Sequence, residues 1–334
     1  MTAPDPSAGK SSPATEPERA DEPSRPGQPR IECVPNFSEG RDPAVLDRIA
    51  NAIASTRGVI LLDRTHDIDH NRSVFTFVGG PSEIEQALGN AAAVAVESID
   101  LRRHTGVHPR IGAIDVIPFV ALEETTREQC VALANRVARL LWERFEVPSY
   151  FYGEAARSES RRRLEDIRRG GFEGLSKAAP ADVERRPDTG GPALHPSAGA
   201  TAIGVRKFLI AFNINLATAD VSIARQIAKT IRESSGGLPA VKALGLLLPS
   251  RGMAQVSMNL TDFERTSLHE VFGWVKHEAE RLGTHIAGSE IIGLVPRRAI
   301  EMAAERFLQI EDFEPGTVFE NRLRQAARKS DPRA

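Results

Sequence analysis

The chain has 334 residues, a formal net charge of −2, 41% hydrophobic residues and 26% charged residues. This composition is typical of a soluble globular protein, and the length favours two domains or one large domain. The near-neutral charge argues against a general nucleic-acid-binding surface, and the lack of a long apolar run argues against a membrane span. The two cysteines, Cys33 and Cys130, are too few for a disulfide framework and fit a reducing cytoplasm.

The first thirty residues differ from the rest in composition, with seven of the 22 prolines and no Ile, Leu, Val or Phe. Such a segment cannot bury enough apolar surface to offset the entropy that it would lose on ordering. We therefore predict a disordered tail over residues 1–30, which lacks the apolar core of a secretory signal. The folded part is expected to begin near Arg30.

Residues 31–175 alternate short apolar runs with helical stretches, in the order β-α-β-β-α-β-α-β. The predicted strands are IECVPNFSEG, GVILLD, RSVFTFVGG, IGAIDVIPFVAL and VPSYFYGEA. The predicted helices are DPAVLDRIANAIAST, with Asp42 as N-cap, PSEIEQALGNAAAVAVESI and TREQCVALANRVARLLWERF. The first six elements match a ferredoxin-like unit, in which an antiparallel sheet carries helices on one face. We interpret residues 31–175 as an N-terminal subdomain of this kind.

Residues 176–204 are rich in Pro, Gly and Asp, and we interpret them as an interdomain connection. Residues 205–334 then repeat the order β-α-β-β-α-β, beginning with one long strand over VRKFLIAFNINL. The sequence therefore predicts an α/β (α+β) protein with two consecutive β-α-β-β-α-β ferredoxin-like subdomains.

The stretch RRHTGVHPRIG contains two histidines four residues apart, His104 and His108. Gly106 weakens a helix here and Pro109 disfavours helical geometry at His108, so the pair differs from the helical H-E-x-x-H zinc motif. A loop that holds His108 beside Arg110 suits proton transfer by the imidazole and carboxylate binding by the guanidinium. The alternative is that both histidines only pack or cap at the start of a strand.

A second polar stretch, LLDRTHDIDHNRSVFTF, concentrates acidic, histidine, Asn and Arg side chains between two predicted strands. These residues are Asp63, His66, Asp67, Asp69, His70, Asn71 and Arg72. Mixed carboxylates and imidazoles could ligate a divalent metal, but Asp, His and Asn are also typical of a polar loop between strands. Turn chemistry favours the loop.

Six blocks of the sequence are the most specific: ECVPNFSEGR, NRSVFTFVG, RHTGVHPRIGAIDVIPF, YGEAARSESRR, GATAIGVRKFLIAFNINL and AQVSMNLTDFE. They occur in order between about Ile31 and Pro296, and together they closely resemble the glutamate formimidoyltransferases. These are folate-dependent transferases of histidine breakdown, fused in animals to a cyclodeaminase. The resemblance implies the stand-alone form without the cyclodeaminase domain, because the sequence ends soon after the transferase portion.

The resemblance implies two subdomains that form a tunnel-like cleft for tetrahydrofolate, which acts as co-substrate. It also implies the reaction, in which the formimino group of N-formimino-L-glutamate passes to N5 of tetrahydrofolate and L-glutamate is released. The catalytic histidine of the family falls on His108. The folate-contacting segment of the family falls on ten consecutive residues: Gly190, Gly191, Pro192, Ala193, Leu194, His195, Pro196, Ser197, Ala198 and Gly199.

Three further residues are predicted to bind the substrate. Arg110 and Arg72 carry guanidinium groups that suit the glutamate carboxylates, and Asn71 lies beside Arg72. Thr65 stands where the animal enzymes have an aspartate, which puts any acid role in this loop in doubt unless Asp67 or Asp69 serves instead.

In the folate-contacting segment, Leu194 and Ala198 stand where the animal enzymes have aromatic residues. Weaker stacking on the pterin or a shifted folate pose is the expected consequence.

The expected partners are small-molecule substrates, without nucleic acid or membrane, in a cytoplasmic protein for which a homodimer is one option. No metal is expected, because a protonated amidine is already electrophilic. Two alternatives remain open. One is a metal-dependent amidohydrolase for a formimino or formyl compound, with His66, His70, His104 and His108 on one ion. The other is a folate-binding protein without catalysis.

Overall fold

The computed structural model describes residues 30–122, 125–311 and 313–322. The predicted disordered tail, residues 1–30, lies outside these ranges except for Arg30, and so does the end of the predicted C-terminal subdomain, residues 323–334. The described residues form two β-sheets, and each sheet is covered by helices on one face.

The first sheet has seven strands. They are β1 (Arg30–Cys33), β2 (Asn36–Phe37), β3 (Ile60–Asp67), β4 (Arg72–Gly79), β5 (Ile114–Leu122), β6 (Ser149–Gly153) and β7 (Thr201–Val205). Their spatial order is β3-β4-β1-β5-β7-β6, and β2 continues β1 between β4 and β5. The strands from β3 to β5 are antiparallel in the ferredoxin-like order, whereas β5, β7 and β6 run parallel.

Three long helices cover one face of this sheet: α1 (Pro43–Ala54), α2 (Pro81–Ser98) and α3 (Arg127–Phe145). The carboxylate of Asp42 accepts hydrogen bonds from the N–H groups of Ala44 and Val45, so α1 begins at the predicted N-cap. Two shorter helices, α4 (Leu164–Ile167) and α5 (Gly171–Ala181), follow β6.

The range predicted as an interdomain connection, residues 176–204, contributes the end of α5 and most of β7 to the first half of the molecule. The prediction of a single strand over VRKFLIAFNINL is wrong. Its first residue, Val205, ends β7 in the first sheet, residues 206–209 connect the two sheets, and a strand of the second sheet begins at Ile210. The insertion of β7 between β5 and β6 is a long-range pairing, which a local apolar pattern cannot indicate.

The second sheet has four antiparallel strands, β8 (Ile210–Leu216), β9 (Val241–Leu248), β10 (Met253–Leu260) and β11 (Ile286–Ile292), in the order β11-β8-β10-β9. Helices α6 (Val221–Ile231) and α7 (Leu268–Arg281) cover one face, and α8 (Arg297–Leu308) follows β11. The predicted fold of two consecutive ferredoxin-like units is confirmed. Within the described ranges, none of the helices is long and apolar enough to cross a membrane.

Successive side chains of a strand point to opposite faces of its sheet. In both sheets, one face packs on helices and the other face is directed at the other sheet. In β4, Phe75 and Phe77 are fully buried in the first core, while Arg72 lies on the opposite face. In β8, Ile214 is buried in the second core, while Asn213 lies on the opposite face. The two faces without helices border one cleft.

Polar side chains also join the two halves across this cleft. Lys242 Nζ on β9 lies 2.7 Å from Glu165 Oε2 on α4. Ser250, in the turn between β9 and β10, donates its N–H at 3.3 Å and its hydroxyl to the carboxylate of Asp69.

Close packing of α6 on β9 depends on Gly245, where a Cβ atom would overlap the backbone of Ala224 and Arg225. We expect Gly245→Ala to lower the free energy of unfolding by about 1–3 kcal/mol, because the helix must move off the strand. Gly273 inside α7 has open space around it, so Gly273→Ala should raise the free energy of unfolding by about 0.5–1 kcal/mol. Urea denaturation of both variants measures these changes, and two effects of the same sign would contradict the packing argument.

Candidate active site

The cleft between the sheets encloses a cavity of about 180 Å³. The first sheet contributes charged and polar side chains from four strands, β1, β2, β4 and β6, and the arginine that follows α4 also lines the cavity. The second sheet contributes amide and hydroxyl side chains, and apolar residues of the connection and of the segment after β11 complete the wall. The principal polar residues are Glu32, Asn36, His70, Arg72, His108, Tyr152, Arg168, Arg206, Asn213, Ser257 and Asn259.

A buried ion cluster forms the floor of the cleft on the side of the first sheet. Asp115 on β5 is fully buried, and its Oδ2 accepts hydrogen bonds from Arg72 Nη1 at 2.6 Å and from Arg168. Its Oδ1 accepts the backbone N–H of Ile111 at 2.8 Å. Arg72 also donates to Asn36 Oδ1 through Nε at 3.0 Å and Nη2 at 2.8 Å.

This cluster keeps Asp115 ionised. Burial by itself would raise the pKa of Asp115, but the charges of Arg168 and Arg72 and their hydrogen bonds outweigh burial and lower the pKa to about 2. Two cations therefore share one anion, and the cleft floor carries excess positive charge.

His108 lies beside this positive charge and lines the cavity. Its Nδ1 is 2.8 Å from the carbonyl oxygen of Pro109, so the neutral ring places its proton on Nδ1 and its lone pair on Nε2. Burial, and then the charges of Arg72 and Arg168, lower the pKa of His108 well below its usual 6.5. The imidazole is therefore an unprotonated base at neutral pH. The ring of His70 lies 5.8 Å from the ring of His108, centroid to centroid.

His104 has a different environment from His108, and it supports the loop. Its Nε2 donates to the carbonyl oxygen of Asn71 at 2.9 Å, and its Nδ1 accepts from Arg110 Nε at 3.0 Å. The fork of Arg110 binds Glu173 on α5, at 2.7 and 3.1 Å. Neither His104 nor Arg110 is among the residues that border the cleft. Their ring nitrogens and guanidinium donors make hydrogen bonds within the first half.

Asn71 also holds loops together. It adopts a left-handed conformation, with φ of 46°, its Oδ1 accepts the N–H of Gly40 at 3.0 Å, and its Nδ2 donates to Thr105 O at 3.0 Å. Gly106 packs against this loop so closely that a Cβ atom would overlap the carbonyl oxygen of His70. Of the three residues predicted to bind substrate, the structure brings only Arg72 to the cleft.

The predicted folate-contacting segment lies at the end of the first sheet where β7 begins. Backbone hydrogen bonds between His195 and Gly199 close it into a tight loop, and the N–H of Ala113 donates to the carbonyl of Ala198 at 2.8 Å. Leu194 and Ala198 are buried in the first core. Residues 190–199 are not among those that line the cleft.

Several polar residues of the cleft are missing from the sequence-based predictions. The second sheet presents Asn213, Ser257 and Asn259 to the cleft. Nδ2 of Asn213 donates to Glu290 Oε1 at 3.3 Å, and Nε2 of the fully buried Gln255 donates to the same oxygen at 2.9 Å. The signal for these residues is the alternation of polar and apolar residues in AFNINL and AQVSMN. Asp115 could have been noticed as the one acidic residue inside the apolar run IGAIDVIPFVAL. Arg168 could not, because it lies in a charged run that does not indicate a site.

Arg206 extends the site beyond the cleft. Arg206 and Phe208 line both the cleft and a neighbouring cavity of about 310 Å³. That cavity also holds two ion pairs, Lys207 Nζ to Asp262 Oδ2 at 2.9 Å and Arg127 Nε to Glu154 Oε2 at 3.2 Å. The two cavities thus adjoin along the segment that connects the halves.

The described residues do not show the cluster of ligands that the metal-dependent alternative requires. No group of three or more His, Cys, Asp or Glu side chains in these ranges could hold a metal ion. Of the four histidines considered for such a site, His70 and His108 are neighbours, whereas His104 is bonded to Asn71 and Arg110.

The two halves of the chain match two parts of one protein family. Residues 30–206 match the formiminotransferase domain, N-terminal subdomain, and residues 211–325 match the formiminotransferase domain. The gap between the two matches coincides with the segment between β7 and β8, where the chain leaves the first sheet and enters the second.

Curated proteins show the same relationship along most of the chain. The glutamate formimidoyltransferase of Streptococcus pyogenes serotype M1 is 43% identical over 294 residues, which are 88% of this chain and 98% of the relative. The glutamate formimidoyltransferase of Thermoplasma acidophilum is 43% identical over 298 residues, or 89% and 98%. The formimidoyltransferase-cyclodeaminase of Sus scrofa is 43% identical over 289 residues, which are 85% of this chain and 53% of that longer protein. The chain therefore belongs to the glutamate formimidoyltransferase family of one-carbon transferases, as its sequence blocks predicted.

Proposed function

We propose that the chain transfers the formimino group of N-formimino-L-glutamate to N5 of tetrahydrofolate in the cleft, with His108 as the general base. The observation that carries this proposal is the imidazole of His108, which lines the cavity and is held through Nδ1, so that Nε2 carries the lone pair. Given the family, this reaction belongs to histidine breakdown in the cytoplasm, and its products are 5-formimidoyltetrahydrofolate and L-glutamate.

The cleft fits a long, flat and partly apolar co-substrate. Its cavity of about 180 Å³ is smaller than the roughly 300–1000 Å³ typical for drug-sized ligands, but it adjoins the second cavity of about 310 Å³ at Arg206 and Phe208. Glu32 in the cleft offers a carboxylate to the amino-pyrimidine edge of a pterin. Arg206 offers a cation to the glutamyl carboxylates.

The mechanism requires one proton to move between two nitrogen atoms. Tetrahydrofolate supplies N5, whose lone pair forms a bond to the amidine carbon of the donor. His108 accepts the N5 proton on Nε2 and returns it to the nitrogen of glutamate, which takes the electron pair of the breaking C–N bond. Burial, and then the charges of Arg72 and Arg168, keep His108 unprotonated before the reaction. The loop contacts of His104 and Asn71 hold the imidazole in place.

The role of His108 is tested by His108→Ala. Loss of a general base lowers kcat by about 10²–10⁴-fold, whereas the melting temperature should stay close to that of the wild type. Steady-state kinetics with N-formimino-L-glutamate and tetrahydrofolate measure the effect. His104→Ala is the matched control and should lose less activity, because His104 acts through the loop. A His108→Ala enzyme that keeps more than about a tenth of wild-type kcat would refute the assignment.

The positive charge beside His108 predicts a specific pH dependence. The base form of His108 is needed, so kcat/KM should fall as the pH drops through the pKa of His108, which lies well below 6.5. Arg168→Gln removes one of the cations that lower this pKa, so the pKa should rise and the acid limb should move to higher pH. Arg169→Gln changes the neighbouring exposed cation, which pairs with Asp166, and should leave the profile in place. An unchanged acid limb in Arg168→Gln would contradict the electrostatic argument.

A further inference from the structure

A smaller cavity of about 130 Å³ adjoins the cleft at the end of β3 and β4 where a turn joins the two strands. We call it the side cavity, and the residues that characterise it are Thr65, Asp67, Arg251 and Glu290, together with His70 and Arg72. His70 and Arg72 line the main cleft as well, so they form the border between the two spaces.

The side cavity contains a cation with free hydrogen-bonding capacity. Arg251 Nη1 lies 3.6 Å from Glu290 Oε2, which is longer than the roughly 2.7–2.9 Å of a charge-assisted hydrogen bond. Glu290 already accepts hydrogen bonds from Asn213 and Gln255 through Oε1. Within the described residues, the guanidinium of Arg251 forms no other ion pair or hydrogen bond. It therefore retains donors for a carboxylate ligand.

The other groups of the side cavity suit a ligand that carries both signs of charge. Oδ1 of Asp67 accepts the N–H groups of Asp69 and His70, and the second oxygen remains available. Thr65 Oγ1 is buried and has no hydrogen-bond partner among the described residues. A buried hydroxyl group without a hydrogen-bond partner lowers the stability of the fold unless a ligand provides that hydrogen bond.

A transfer between two substrates needs two binding spaces that meet at the reacting atoms. The main cleft continues past Arg206 and therefore has the length for the larger co-substrate. The side cavity is smaller, and it begins at His70, whose ring lies 5.8 Å from that of His108. A small donor in the side cavity would place its transferable group at this border.

We propose that the side cavity binds the amino-acid part of the formimino donor, with Arg251 paired to its side-chain carboxylate. This inference rests on the proposed function. Arg251 lines the side cavity but not the main cleft, so it lies away from His108. In N-formimino-L-glutamate the side-chain carboxylate is the charged group farthest from the amidine carbon, which matches this position. Arg251 is thus a specificity-determining residue for an N-formimino dicarboxylate.

The first test compares Arg251→Gln with Arg265→Gln. Arg265 is an exposed arginine of the same half, 3.9 Å from Glu233, and it borders none of the three cavities. We expect Arg251→Gln to raise KM for N-formimino-L-glutamate about tenfold or more, with kcat and KM for tetrahydrofolate nearly unchanged. Arg265→Gln should change none of these constants.

The second test uses N-formiminoglycine, which lacks the side-chain carboxylate. Wild-type enzyme should prefer the glutamate donor in kcat/KM, and Arg251→Gln should abolish most of that preference by losing activity on the glutamate donor alone. A preference that survives in Arg251→Gln, or kinetics identical to those of Arg265→Gln, would overturn the inference while leaving the proposed function intact. Absence of transfer by the wild-type protein from either donor would instead overturn the proposed function, and the inference with it.

Discussion

The candidate site depends on one buried carboxylate, that of Asp115. It binds Arg72 on β4, Arg168 after α4 and the backbone of Ile111, and so joins a strand, a helix and the loop that carries His108. Loss of one partner from a buried ion cluster costs about 3–5 kcal/mol, because the remaining charge is uncompensated. The same two cations suppress protonation of His108. Asp115 thus positions the two cations that, after burial, lower the pKa of His108, although its own charge has the opposite effect on that pKa.

The sequence predicts the two ferredoxin-like units well, because their strands and helices have recognisable apolar periods. The start of α1 is also predicted, because Asp42 is a typical N-cap residue and Pro43 is a typical first residue of a helix. It fails at the boundary between them. Val205 and Ile210 belong to the stretch that the sequence predicts as one strand, but they lie in different sheets. The switch depends on parallel pairing of β7 with β5 and β6, whose residues are far away in the sequence, and no local pattern encodes it.

The candidate site is only partly predictable for a similar reason. The residue types around His108 indicate a loop with one base, because Gly106 and Pro109 oppose a helix. From the sequence alone, Arg110 and Arg72 are equally suitable partners for a carboxylate ligand. The structure distinguishes them by position: Arg72 borders the cleft, whereas the fork of Arg110 binds Glu173 on a helix that is distant in the sequence. Partners from distant segments therefore decide which cation faces the cleft.

The connection between the halves is also a wall of the cleft. The chain crosses through residues 206–209, and Arg206, Phe208 and Leu209 line the cavity. A molecule held against these side chains touches the backbone about which the two sheets would have to rotate. Ligand binding in the cleft and the relative orientation of the halves are therefore thermodynamically linked. A ligand that binds one orientation more tightly shifts the population toward that orientation. The ratio of the ligand's affinities for the two orientations equals the factor by which binding shifts the equilibrium between them.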